Sequence, residues 1–382
     1  MNIMGWKRTY TEEIDRPQDI YFHKWLFSLF ILCILLLVIY YFFHEFVVAN
    51  NASLLAFFSP LLLWVLILSV QVIFYSRAIQ DYSIWLENRL SINREWEAWG
   101  SRYVSVMNSS LHLPGKVDVL FLSGDELETQ YGLVNKSDDI TWKQHDWYAC
   151  FQTLTNHLEL YKLPYQLTQE FIILTDFDES MYSQIEEDFF RTVEKTNRTE
   201  GHFLLHISPS MSFGELDLWL KDSEEKIYIV MVLQMEEQTS CSDAMACLMF
   251  ATDDVTAKYK LTEKARIYRP MVVNSNNFNS DLNIFIDTQK ISKNAAGLVG
   301  DSQRLFSVSS NVLQCFNDNN AQLKIDNIHL LESLCGLPGV NAVWLTAALT
   351  ISVVVHKNSD YLMMSENNDD WIITTIHPME HS

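Results

Sequence analysis

Two charge-free apolar runs near the start of the chain constrain its fold more than any other feature. Trp25 to Phe43 contains 19 residues without a charge. At about 1.5 Å of rise per residue, such a helix spans the ~30 Å hydrocarbon core of a bilayer. Leu54 to Tyr75 is a second run, of 22 residues. Neither run shows a polar face at helical period, which argues against a pair of buried core helices. A cleaved leader is the rival reading of the first run, but the run is too long and no small-residue cleavage site follows it.

The flanking charges set an expected topology. Lys7, Arg8, Arg16 and Lys24 precede the first run, Arg77, Arg89, Arg94 and Arg102 follow the second, and the link His44 to Ser53 holds no Lys or Arg. The positive-inside rule therefore predicts a multi-pass protein of the cytoplasmic membrane with both termini cytoplasmic. Trp25, Tyr40, Tyr41 and Tyr75 are expected at the membrane interface, where aromatic belts form. The expected organisation is a cytosolic tail over 1–24, a transmembrane hairpin over 25–75 (25–43 and 54–75), a helical stalk over 76–110 and an acidic α/β domain over 111–382.

Charge separates these parts sharply. Residues 1–102 carry 8 basic and 9 acidic side chains, whereas 103–382 carry 19 and 39. So acidic a domain is a poor partner for nucleic acid or anionic lipid and a good one for a basic protein surface. The expected partners are thus the lipid bilayer, through residues 25–75, and a protein.

Within the soluble part, VDVLFLSG, EFIILTDFD, HFLLHIS, EKIYIVMVLQM, DLNIFID, LTISVVVH and DWIITTI read as strands. DWYACFQTLTNHLELYKL, SMYSQIEEDFFRTVEKTN, SDAMACLMFATDDVTAKYKL, SQRLFSVSSNVLQCFNDN and GVNAVWLTAALT read as helices. The alternation predicts a mixed α/β fold with a largely buried sheet. No internal repeat is visible, and residues 274–281, NSNNFNSD, are the expected exposed loop between two halves. Asp176-Phe177-Asp178 reads as an acidic cap for the following helix.

Chemistry-bearing motifs are sparse. None of the six cysteines forms a C-x-x-C pair, and His202 and His206 share a strand-like segment in which one ion cannot bridge them, so no metal and no cofactor are expected. Phosphate-loop, dinucleotide and serine-elbow glycine patterns are absent from the sequence. Arg266 and Arg269 form a small basic island, a candidate binding site set against a strand-edge solubility device. Glu236 to Phe250, EEQTSCSDAMACLMF, places Cys241 between an expected strand and an expected helix, where a helix dipole stabilises a thiolate.

This last segment resembles the thiolase and ketosynthase superfamily, whose nucleophilic cysteine sits in a small-residue strand-to-helix turn. ESLCGLPGVNAVWLTAAL resembles that family's K-S-N-I-G-H segment and the helix after it, and NIFIDTQK the strand delivering its H-G-T-G-T histidine. In that register Glu332 stands where the family has lysine, Leu337 where it has one histidine and Gln289 near the other. The resemblance implies a degenerate thiolase-like fold more than a shared activity. The overall organisation, with LPGKVDVLFLSGDE, LYKLPYQLTQEFIILTDFDE and KARIYRPMVV, resembles accessory inner-membrane proteins of bacterial type VI secretion clusters. It implies a non-catalytic interaction protein. Two alternatives stay open: a membrane-tethered acyl-transfer enzyme using Cys241, and an immunity protein against a membrane-directed toxin.

Overall fold

A computed structural model describes the chain except residues 1–5, 9–12, 49–50, 144–145, 157, 159–162, 196–202, 223, 237–238, 322 and 380–382. His202 therefore lies outside the described residues. Two compact units are present, Thr9–Glu95 and a larger one made of Met1–Arg8 and Trp96–Ser382.

The smaller unit holds helix α1 (Phe22–Val48) and most of helix α2 (Asn51–Gly100). Both are long and apolar enough to cross a membrane. They pair as a hairpin: the Trp25 and Trp64 rings meet edge-on at 5.8 Å, Trp64 donates to the Ser28 hydroxyl at 3.0 Å, and Tyr40 meets Phe57 at 6.1 Å. Tyr75 donates to Asp19 at 2.8 Å, and Tyr41 stands 80% exposed. Pro60 lies within α2 without ending it.

The larger unit is a mixed α/β domain, and its first half starts earlier than expected. The helix predicted over 76–110 stops at Gly100, and Tyr103–His112 forms strand β1, with Val104 and Val106 fully buried. Gly100 stands at the stop, where a Cβ would lie 2.7 Å from the Thr288 side chain. Helices α3 (Val117–Ser123), α4 (Ile140–Lys143) and α5 (Trp147–Thr155) follow. Then come β2 (Thr168–Thr175), α6 (Tyr182–Lys195), β3 (Phe203–Ser208), α7 (Glu215–Trp219), β4 (Lys226–Gln234), β5 (Ala244–Thr252) and α8 (Asp253–Tyr259).

The second half contains β6 (Ala265–Tyr268), β7 (Met271–Val273), α9 (Phe278–Thr288), β8 (Gly297–Gly300) and α10 (Phe306–Asp318). It closes with β9 (Ile328–Leu330), α11 (Leu331–Cys335), α12 (Ala342–Lys357), β10 (Tyr361–Asn367) and β11 (Asp370–Pro378).

The strand order is β3-β2-β4-β5-β1 in the first half and β9-β8-β10-β11-β6 in the second, joined through an antiparallel β1–β6 pair. The directions repeat as well. β2 is parallel to β3 and β4 while β5 is antiparallel to β4 and β1; β8 is parallel to β9 and β10 while β11 is antiparallel to β10 and β6. The domain is thus a duplicated α/β unit that divides between α8 and β6, not at 274–281, where a short 3-10 turn leads into α9.

Period-two alternation builds the layers. In β4, Tyr228, Val230 and Val232 face a core shared by both halves around α12, while Ile227, Ile229, Met231 and Leu233 face α5 and α6. A third cluster under α9 and α10 takes in Trp6, with Trp96 and Trp99 packed against it.

Four segments exchange type relative to their sequence reading. DAMACLMFAT is strand β5, buried along its whole length, although its Ala, Leu and Met favour helix. Pairing with β4 on one side and β1 on the other overrides that propensity. Conversely, LTISVVVH lies in α12, and DLNIFID in α9. VDVLFLSG is mostly α3, ended by Gly124 at φ 82°.

Candidate functional site

The duplication makes two chain turns equivalent: the one from β3 into α7 and the one from β9 through α11 into α12. The structure brings them together. Asn341 Nδ2 donates to the Pro209 carbonyl at 3.1 Å, and Trp344 Nε1 donates to the Met211 carbonyl at 2.8 Å. Behind them, Trp344 packs at 4.9 Å from Phe213, and Trp219 stacks on Tyr228 at 4.1 Å.

A cleft of about 730 Å³ opens at this junction, walled by Ser210–Phe213, Asp301–Arg304, Glu332, Leu337–Val340 and Glu366–Asn368. Its size is typical of a ligand site. Asp301, 3% exposed, accepts from the Ser365 hydroxyl at 2.6 Å and the Glu366 amide at 2.7 Å, both through Oδ2. Glu332, 2% exposed, accepts the Gly132 amide at 3.1 Å and the Gln303 amide at 2.7 Å, which commits one oxygen to each loop. Arg304 is ion-paired with Glu366.

Asp301 was invisible to pattern reading because the strand before it, Gly-Leu-Val-Gly, is short and glycine-bounded. Those glycines are required by close approach: a Cβ on Gly297 would lie 2.5 Å from the Asn327 carbonyl oxygen, and one on Gly300 2.5 Å from Leu305.

Cys241 is not at a helix N-terminus. It lies in the connection between β4 and β5, and the segment after it is a strand, not a helix. Its Sγ is 3.2 Å from the Thr239 hydroxyl, and burial pushes the thiol above its ordinary range. The connection is pinned by Ser242 N–H to the Leu337 carbonyl (2.8 Å) and by Lys136 to Asp243 (3.2 Å). Asp176 belongs to this scaffold too. Instead of capping α6, it accepts the Met235 and Glu236 amides at 3.1 Å each. Cys241 does back onto the cleft wall: a Cβ on Gly339 would lie 3.1 Å from its Sγ.

The other sequence candidates have structural work. Gln289, 1% exposed, follows α9 and donates to the Gly100 and Arg269 carbonyls at 3.2 and 3.1 Å while accepting from the Thr375 amide. Leu337 lines the cleft. Arg269, 1% exposed, lies 4.1 Å over the Trp99 ring and 3.2 Å from Asp217, so it is closed to ligands. Arg266 packs 4.3 Å over Tyr103 and pairs with Glu263. His206 reaches Glu170 at 3.6 Å.

Comparison with protein-family models and with curated proteins found no match. Solved structures match in fold. One belongs to a type II polyketide synthase complex, an acyl-carrier protein with its ketosynthase bound to the hexaketide. It superposes with a TM-score of 0.50 at 7% identity, covering 73% of this chain and 100% of that one. The oxazolomycin ketosynthase domain of Streptomyces albus gives 0.48 at 9% identity, over 73% and 96% of the two chains. The 3-oxoacyl-acyl-carrier-protein synthase III of Aquifex aeolicus gives 0.44 at 8% identity, over 72% and 99%. At such identities the likeness is one of fold, and the larger unit has the thiolase/ketosynthase-like fold.

Proposed function

We propose that this chain is a membrane-anchored, non-catalytic binding protein, an accessory component of a bacterial type VI secretion apparatus. The observation that carries the non-catalytic reading is the composition of the cleft: neither thiol nor imidazole is among its lining residues, and its innermost carboxylates hold backbone amides. A thioester oxyanion beside Asp301 and Glu332 would face carboxylates. The anchor rests on the two apolar helices, and the inner-membrane topology with cytoplasmic termini on the basic flanks of the hairpin. The secretion assignment rests on the organisational resemblance.

The test is affinity capture of the full chain from native host membranes at low salt, with the neighbouring genes read alongside. Recovery of a secretion component supports the reading, and recovery of no protein partner overturns it. Reporter fusions at each terminus test the topology, and an extracytoplasmic terminus would refute it.

A second reading, acyl transfer through Cys241, is favoured by the fold and by the position of Sγ behind Gly339. It requires that Cys241→Ser abolish function in the host, whereas the binding reading expects that variant to be active.

A further inference from the structure

The cleft has an unmet need for a hydrogen-bond donor. Asp301 uses Oδ2 twice, but its buried Oδ1 has no hydrogen-bond partner among the described residues. Asn341 Oδ1, between α11 and α12 and beside the cleft wall, is buried and unpartnered as well. A buried carboxylate oxygen left without a donor is costly, so a donor supplied from the cleft is favoured.

Charge and shape narrow the donor. The lining holds Asp301, Glu332 and Glu366 against Arg304 alone, within a domain whose charge is strongly negative. The rim carries apolar surface: Val340 is 71% exposed. Met211 and Pro338 extend the same surface into the cleft.

We infer that the cleft takes a lysine or arginine side chain from an apolar segment of a protein partner, the cation reaching Asp301 and the flanking residues covering Val340, Met211 and Pro338. This rests on the binding-protein reading above and gives that partner a chemistry. An apolar, cationic peptide complements a rim and floor of this kind.

The experiment uses the full chain in detergent micelles and two probes, acetyl-Leu-Lys-Leu-amide and its norleucine counterpart, which keeps the shape and removes the charge. The lysine peptide is expected to bind at least ~10-fold more tightly, with the preference shrinking as salt rises. Asp301→Asn is expected to remove the preference. Should that variant fail to fold, Glu366→Gln, which leaves Arg304 unpaired at the cleft, is expected to weaken the lysine peptide selectively. Equal affinity for the two peptides, a preference unchanged in both variants, or spermidine binding more tightly than the lysine peptide would each overturn the inference, the last by pointing to a free polyamine. If host partners are captured equally by native and Asp301→Asn chains, the inference fails while the binding-protein reading stands.

Discussion

Asn341 Nδ2 donates to the Pro209 carbonyl at 3.1 Å, joining the turn after β9 in one half of the domain to the turn after β3 in the other. These turns occupy equivalent places in a duplicated topology, and the bond ties the cleft wall that begins at Ser210 to the wall that ends at Val340. Asn341→Ala is expected to cost about 1–2 kcal/mol, the range for a buried hydrogen bond whose acceptor is then unsatisfied. Chemical denaturation of the full chain checks it.

Gly339 admits no side chain. A Cβ there would lie 2.2 Å from Gln234 Oε1, whose amide nitrogen is held by the Ser242 carbonyl. Gly339→Ala is expected to destabilise by ~1–3 kcal/mol through overpacking, seen as a lowered denaturation midpoint.

The two arginines of the basic island are expected to differ. Arg269→Ala removes a buried cation from Trp99 and Asp217 and is expected to cost about 2–3 kcal/mol. Arg266→Ala, at a partly exposed site, is expected to cost less than ~1 kcal/mol. Thermal unfolding of both variants measures the contrast.

Stability is expected to fall in mild acid through His329. Burial holds its pKa at about 4 against an ordinary 6.5, so the unfolded chain binds the extra proton between those values. The stabilisation is complete above pH 6.5 and is lost as pH falls toward 4, by on the order of 1 kcal/mol after allowance for partial solvation. The ring packs against Phe121 at 5.2 Å, so His329→Phe keeps the contact and is expected to flatten the pH dependence of unfolding over this window.

Much of this architecture can be read from the residues, and the gaps have physical reasons. Charge-free length identified the two long helices, and β-branched runs such as KIYIVMVLQ identified central strands. AMACLMFAT misled because it is buried along its whole length, which removes the periodicity that distinguishes strand from helix, and LTISVVVH because its β-branched run lies in a largely buried helix. Reading AMACLMFAT as helix placed Cys241 at a helix N-terminus that does not exist. The duplication is legible only in strand order and direction. Asp301 carries no sequence signal because a site assembled from separate chain turns leaves no local motif, whereas Glu332 and Leu337 lie in the segment that resembles the family's own.

The central claim, that the cleft binds and does not catalyse, is tested most directly at Cys241. The full chain is incubated at neutral pH with a reactive acyl thioester and the modified residues are mapped by mass spectrometry. With the thiol pushed up by burial, Cys241 is expected to acylate at least ~10-fold more slowly than free cysteine, leaving it essentially unmodified. Rapid, stoichiometric acylation of Cys241 would contradict the claim and establish the acyl-transfer reading in its place.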